Sequence, residues 1–309
     1  MEILDCIIVG GGPAGLNAAV VLGRCRRKVV MFDSATYRNQ YSHGMHNYLT
    51  RDDIPPVDFL KIAREEVNKY GVEMINRKVV NARKNSEGFF DVKDDKGKVY
   101  HSKKLLIATG LWDNVPDIPG FKELYGKSVH HCPYCDGWEV RDKELGVYAR
   151  NKNGFELAIA LKGWSDKVTY YADGKNKLKP VEVETLALNE IPIVSYPIER
   201  LEAENDCLKS VIFKNGDSRK CDALFFVNGY QQQCDLVETF GCNITKKGVV
   251  LTNRFQQTNI EGLYVAGDAA KDMHLVVVAA AEGAKAGVII NKELQKELTR
   301  QPQEELLAT

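Results

Sequence analysis

The stretch from Asp5 to Asp33 constrains the fold more than any other part of the chain. It reads as an apolar strand (Cys6-Ile7-Ile8-Val9), a glycine turn (Gly10-Gly11-Gly12-Pro13-Ala14-Gly15), an Ala-rich helical run, and a second apolar strand, Lys28 to Phe32, closed by Asp33. That succession is a βαβ dinucleotide unit, and its G-x-G-x-x-G turn puts glycine wherever a side chain would obstruct. Gly10 permits the tight turn, Gly12 lets the backbone approach a pyrophosphate, and Gly15 allows helix and strand to pack closely. Pro13 and Ala14 open the helix whose N-terminus faces the phosphates. Asp33 stands where a carboxylate can bond ribose hydroxyls.

Further along, Tyr37 to Tyr48 is too polar and irregular for a regular element and is expected to fold over a ligand; it holds Asn47, His43 and His46. Pro55-Pro56 precedes an amphipathic helix over Val57 to Tyr70, read as scaffold, and Val72 to Tyr100 alternates like strands and turns. The apolar run Lys104 to Ala108 ends at Thr109-Gly110, where Ala108, Thr109 and Gly110 are small enough to let a cofactor come close. Trp112 to Gly120, with Pro116 and Pro119, reads as a linker. Near the end, Gly262 to Ala266 is a buried-strand run closed by Gly267-Asp268, and Leu275 to Ile290 supplies a helix. The charged segment Lys292 to Thr309 reads as a helix end and a tail.

Cys132-Pro133-Tyr134-Cys135-Asp136-Gly137 is the chemical centre. By itself a C-x-x-C is open to three readings: half a zinc site, a redox dithiol, or two core cysteines. Only one such pair is present, and no second pair of Cys or His stands at ligand spacing, so no metal is expected. The other six cysteines are scattered and read mostly as buried, reduced and structural. With 42 basic against 42 acidic residues, the chain has no global field to draw it to nucleic acid or to an anionic membrane. No apolar run approaches spanning length, and Met1 to Cys6 lacks signal-peptide character, so a cytoplasmic location is expected.

Together, GGGPAG with Asp33, LLIATG at Leu105 to Gly110, CPYCDG at Cys132 to Gly137 and GLYVAGDAA at Gly262 to Ala270 resemble the low-molecular-weight thioredoxin reductase family of FAD enzymes. The resemblance covers nearly the whole chain. It implies an α/β protein of two Rossmann-like three-layer domains: a discontinuous FAD domain over 1–114 and 241–309, and an inserted redox-dithiol domain over 115–240. It implies that Asn47 and Gly267 join the cofactor residues named above, and that Asp268 holds a ribityl hydroxyl. It further makes Cys135 the sulfur that faces the flavin, Cys132 the interchange thiol, and Asp136 the acid/base. A thioredoxin-like protein or a small disulfide or dithiol is the implied partner, and a homodimer the implied assembly.

One part of the pattern is broken. After the strand Leu145 to Tyr148, where a second glycine fingerprint normally cradles NADPH, the chain reads Ala149-Arg150-Asn151-Lys152-Asn153-Gly154, keeping only the last glycine. After the next strand comes Asp173, which would repel a 2′-phosphate, although Lys175, Lys177 and Lys179 are close by. The family's Arg-Gln pair after the GD motif corresponds to Leu275-Val276, with His274 just before. NADP(H) use is therefore in doubt, and a ferredoxin-like donor is an alternative source of electrons. A dithiol oxidase that passes electrons to oxygen and a flavin-bearing redox sensor are the competing readings.

Overall fold

The computed structural model describes residues 2–150 and 153–306, with side chains through residue 297. The first stretch runs β1 (Ile3–Val9), α1 (Pro13–Arg24), β2 (Val29–Phe32), α2 (Pro56–Asn68), β3 (Glu73–Ile75), β4 (Val79–Lys84), β5 (Phe90–Asp94), β6 (Val99–Ile107) and β7 (Leu111–Asp113). β1 pairs in parallel with both β2 and β6, as a βαβ crossover requires. β3 extends the sheet beyond β2; on the other side β5 pairs antiparallel along the first half of β6, and β4 pairs antiparallel with β5. β2 and the second half of β1, Cys6 to Val9, are buried throughout and carry apolar side chains on both faces because helices and loops cover both.

The second unit follows: α3 (Phe121–Leu124), β8 (Val129–His130), α4 (Pro133–Asp136), β9 (Leu145–Tyr148), α5 (Asn153–Leu161), β10 (Val168–Tyr171), α6 (Pro180–Leu188) and β11 (Ile193–Val194). It continues with β12 (Ile198–Glu204), β13 (Cys207–Phe213), β14 (Ser218–Lys220) and β15 (Ala223–Phe226). Its parallel sheet has the order β11-β10-β9-β15-β8, and β12 to β14 form a separate antiparallel sheet. The chain then returns through β16 (Tyr230–Gln232), α7 (Leu236–Thr239), β17 (Leu263–Val265) and α8 (Val276–Leu306).

β17 pairs in parallel with the last residues of β6, so the end of the chain completes the first sheet. β7 and β16 pair antiparallel, Tyr230 opposite Asp113, where the chain leaves the first unit and comes back. Part of the stretch read as a linker is therefore strand. Leu236 and Val237 of α7 already lie in the first unit's core, which puts the crossing back at β16, a few residues ahead of 241. The C-terminal segment also differs from expectation: α8 continues to Leu306, through most of the stretch from Lys292 that was read as a helix end and a tail. Leu294 is buried, Glu293 pairs with Lys296 one turn on, and Glu297 reaches Lys104, so contacts on both sides of the helix carry it forward.

Close approach explains the retained glycines. A Cβ at Gly15 would sit 1.9 Å from the Gly10 carbonyl oxygen, and one at Gly283 of α8 would sit 1.9 Å from the Ala14 carbonyl oxygen, so α1 is gripped from both sides. In the second unit, a Cβ at Gly154 would lie 2.2 Å from the Ala149 Cβ, which is why the third glycine persists where the others do not. Asn151 and Lys152 lie outside the described residues.

Candidate active site

A cleft of about 570 Å³ opens at the carboxyl ends of β1, β2 and β6, where ligands bind in open parallel sheets. Gly10, Gly12, Pro13, Ala14, Asp33, Ala108, Thr109, Gly110, Gly267 and Asp268 all line it. Gly15 does not; it serves packing. Asn47 does not either: its Nδ2 donates to the Tyr134 carbonyl oxygen at 2.7 Å, tying its loop to the cysteine motif.

The cleft fits a dinucleotide. α1 begins without a side-chain cap and without an acidic residue in its first turn, leaving N-terminal N–H groups for an anion. A Cβ built on Gly12 meets no protein atom within 4 Å and would project into the cleft. Gly10, at φ +118°, lies so near Ala108 that a Cβ would come within 2.3 Å of its carbonyl oxygen. Asp33 is already held: Tyr37 donates to its Oδ2 at 2.5 Å and Arg64 at 2.7 Å. Arg64 was not legible as part of the site, since α2 reads as scaffold. The only signal is its position one turn after Leu60, which lines the cleft.

Cys132 and Cys135 are joined as a disulfide, with Cα atoms 5.3 Å apart. Cys132 is the N-cap of the one-turn helix α4, and its sulfur accepts from the Cys135 N–H at 3.2 Å. The two sulfurs have different surroundings: Cys135 and Asp136 line the cleft, whereas Cys132 does not. Tyr134, within the motif, and Trp138, just after it, are 69% and 65% exposed, and Tyr134 meets Trp164 edge to face. Among the described residues no group of three or more His, Cys, Asp or Glu is placed to hold a metal ion.

An ionic group at the cleft wall escaped the sequence reading. Arg38 binds Asp113 of β7 through Nε and Nη2, at 2.7 and 2.5 Å, and reaches Asp268 through Nη1 at 3.0 Å. Tyr125 donates to Asp113 at 2.5 Å, and its ring stacks on His131. Burial opposes ionisation of Asp113, but Arg38 and the other donors outweigh it and pull the carboxyl down to about 2. Burial, reinforced by the Arg38 charge, holds His131 down to about 4. His274, Leu275 and Val276 line the cleft, and burial holds His274 below its usual range.

Of the other six cysteines, Cys6, Cys221 and Cys242 are buried and Cys234 is half-buried, whereas Cys25 and Cys207 are exposed. Cys234 lines the cleft, but burial raises its pKa and its thiol donates to Thr109 Oγ1 at 3.6 Å. Next to the second sheet's turn, the carboxylate after β10 is already held by the protein. Asp173 accepts from Arg150 Nε at 2.9 Å, from the Tyr148 hydroxyl at 3.1 Å and from the Ile198 N–H at 2.7 Å.

A disulfide set into the wall of a dinucleotide-sized cleft is the arrangement of a nucleotide-linked disulfide oxidoreductase. The chain belongs to the pyridine nucleotide-disulphide oxidoreductase family, whose description matches residues 4–283, and this is a family of FAD-binding enzymes. Thioredoxin reductase tcpT of Claviceps purpurea is 31% identical over 97% of this chain and 97% of its own. Among solved structures, a putative thioredoxin reductase TrxB from Bacillus anthracis is 33% identical, covers 95% of this chain and 99% of its own, and has a TM-score of 0.91. HlmI is 32% identical, covers 99% and 97%, and has a TM-score of 0.94. Among the described residues no helix is long and apolar enough to cross a membrane.

Proposed function

We propose that this chain is an FAD-dependent thiol–disulfide oxidoreductase that passes electrons between flavin and a substrate disulfide through Cys132 and Cys135, without using NADPH in the usual way. The observation that carries this reading is the placement of Cys135, but not Cys132, on the wall of the dinucleotide cleft. FAD, when bound, supplies or takes the electron pair that opens or closes the disulfide. Gly10, Gly12 and the α1 N-terminus would hold the pyrophosphate, Asp33 a ribose, and Asp268 the ribityl chain. Asn47 steadies the dithiol loop. Cys132 is the thiol that attacks the substrate disulfide, Cys135 resolves the mixed disulfide, and Asp136 carries the protons that exchange requires. The two units expected at 1–114 with 241–309 and at 115–240 act as separate domains, with α7 counted in the first.

Against NADPH stand the Arg150–Asp173 pair at the ends of β9 and β10 and Ala149 at the first glycine position. A ferredoxin-like protein is the donor that such a turn leaves open. The relatives named as thioredoxin reductases, and the exposed Tyr134 and Trp138 beside Cys132, favour a thioredoxin-like protein as acceptor. The same turn also suits reversed flow, from a small dithiol to oxygen. The functional assembly is a homodimer.

The FAD-loaded protein, mixed anaerobically with NADPH, NADH, reduced ferredoxin or a dithiol, is followed by flavin bleaching before oxygen is admitted and peroxide assayed. Slow bleaching by NADPH and fast bleaching by ferredoxin are expected. Rapid bleaching by micromolar NADPH would refute the donor assignment. Bleaching by dithiol followed by fast peroxide release would establish the oxidase direction, and a Cys135→Ser protein that still cycled would defeat the relay.

A further inference from the structure

His130 is the buried side chain that the site leaves unexplained. It ends β8, two residues before Cys132, and is only 5% exposed. Its ring packs on Phe225 at 5.3 Å between centroids, yet neither ring nitrogen makes a hydrogen bond of good geometry. Nδ1 nevertheless lies 3.3 Å from Oδ1 of Asp136. A buried imidazole without partners costs stability that an apolar residue at the same place would not. His131, by contrast, turns to Tyr125 and Asp113 at the far wall of the cleft.

We propose that His130 is a positioning residue: through Nδ1 it fixes the Asp136 carboxyl so that this group can move protons at Cys132–Cys135. The inference rests on the reading of Asp136 as the acid/base of exchange. With Nδ1–H turned toward Oδ1 at 3.3 Å, a small rotation of the Asp136 carboxyl would bring the two into hydrogen-bonding alignment and leave Oδ2 for the cleft that Asp136 lines. The reduced protein then runs a balanced exchange. The Cys132 proton passes to Asp136, and the thiolate attacks a substrate disulfide, forming one S–S bond and breaking another. The departing thiolate takes the proton from Asp136. The Cys135 proton follows the same route as Cys135 closes the Cys132–Cys135 bond and expels the second thiolate, so two thiols leave for one disulfide formed.

Leaving-group chemistry tests this on the prereduced holoprotein. An alkyl thiolate needs a proton as it departs, and an aromatic nitrothiolate does not. Stopped-flow exchange is measured with bis(hydroxyethyl) disulfide and with dithiobis(nitrobenzoate). His130→Phe, which keeps the packing on Phe225, should slow the alkyl probe about tenfold or more and leave the aromatic probe within about twofold. His130→Asn, which restores a donor, should recover most of the alkyl rate. In an Asp136→Asn background, His130→Phe should cost nothing further. His130→Leu replaces the Phe variant if that protein does not fold. Full alkyl rates in His130→Phe, or equal slowing of both probes, would overturn the proposal. A slow His130→Phe beside a fully active Asp136→Asn would also overturn it. Full rates in Asp136→Asn and His130→Phe alike would identify the acid/base reading as the failure.

Discussion

Arg38 holds Asp113 with two nitrogens and Asp268 with a third, joining the loop after β2, the connecting strand β7 and the turn after β17 at one point. All three side chains are largely buried. Removing the guanidinium in Arg38→Ala leaves two neighbouring, largely buried carboxylates without their shared cation, at a cost of roughly 3–5 kcal/mol. Arg38→Lys keeps the charge but loses the planar fork, and should fall between wild type and Arg38→Ala. Thermal unfolding of the three proteins checks the order.

His131 makes acid stability predictable. The unfolded imidazole takes up a proton near 6.5, whereas the folded one refuses it until about 4. More protons are bound by the unfolded chain in that window, so the contribution of this group is whole above 6.5 and drains away as the pH falls to about 4. The loss is at most roughly 3 kcal/mol. His131→Gln should flatten the decline in urea-unfolding free energy across this interval. Asp113, held down to about 2, acts only below it.

Two glycine substitutions in one turn should have opposite consequences. Gly12→Ala adds a Cβ that meets no protein atom, so the apoprotein should melt as wild type does but purify without flavin. Gly15→Ala drives a Cβ into the Gly10 carbonyl and should destabilise folding by roughly 1–3 kcal/mol, or more if the backbone cannot shift. Calorimetry on the apoproteins, with flavin absorbance on the purified ones, separates the two.

The Arg150–Asp173 pair divides unequally. Arg150 is 60% exposed, so Arg150→Ala should cost no more than about 1 kcal/mol. Asp173→Ala strands the buried Tyr148 hydroxyl and the Ile198 N–H and should cost at least roughly 2 kcal/mol. Neither change should yield NADPH affinity measurable by calorimetry, because the first glycine position remains Ala149.

The parts of this protein that were legible in the sequence are those written locally. The βαβ unit at Asp5 to Asp33 and the C-x-x-C each declare themselves within a few residues. Arg38 and Asp113 are 75 positions apart, in an irregular loop and a Pro-containing connection, and neither carries a periodic signal that would pair them. Asp173 was read for its charge, as a group that would repel phosphate; which cation neutralises it depends on a turn geometry that composition does not encode. The extension of α8 depended on a partner, Lys104, that sheet formation brings to Glu297.

The completion of the first sheet by β17 sets a timetable for synthesis. Gly267 and Asp268 form one wall of the cleft, and α8 covers α1, yet both are translated after the whole of the second unit. While β17 is still inside the ribosome, β6 has an open edge and α1 a bare face, and the nascent chain has no finished pocket in which to retain a flavin. The contiguous second unit can fold during that interval. Cofactor capture is therefore deferred until α8 has been translated, and by then Cys135, on the cleft wall, already stands on a folded support.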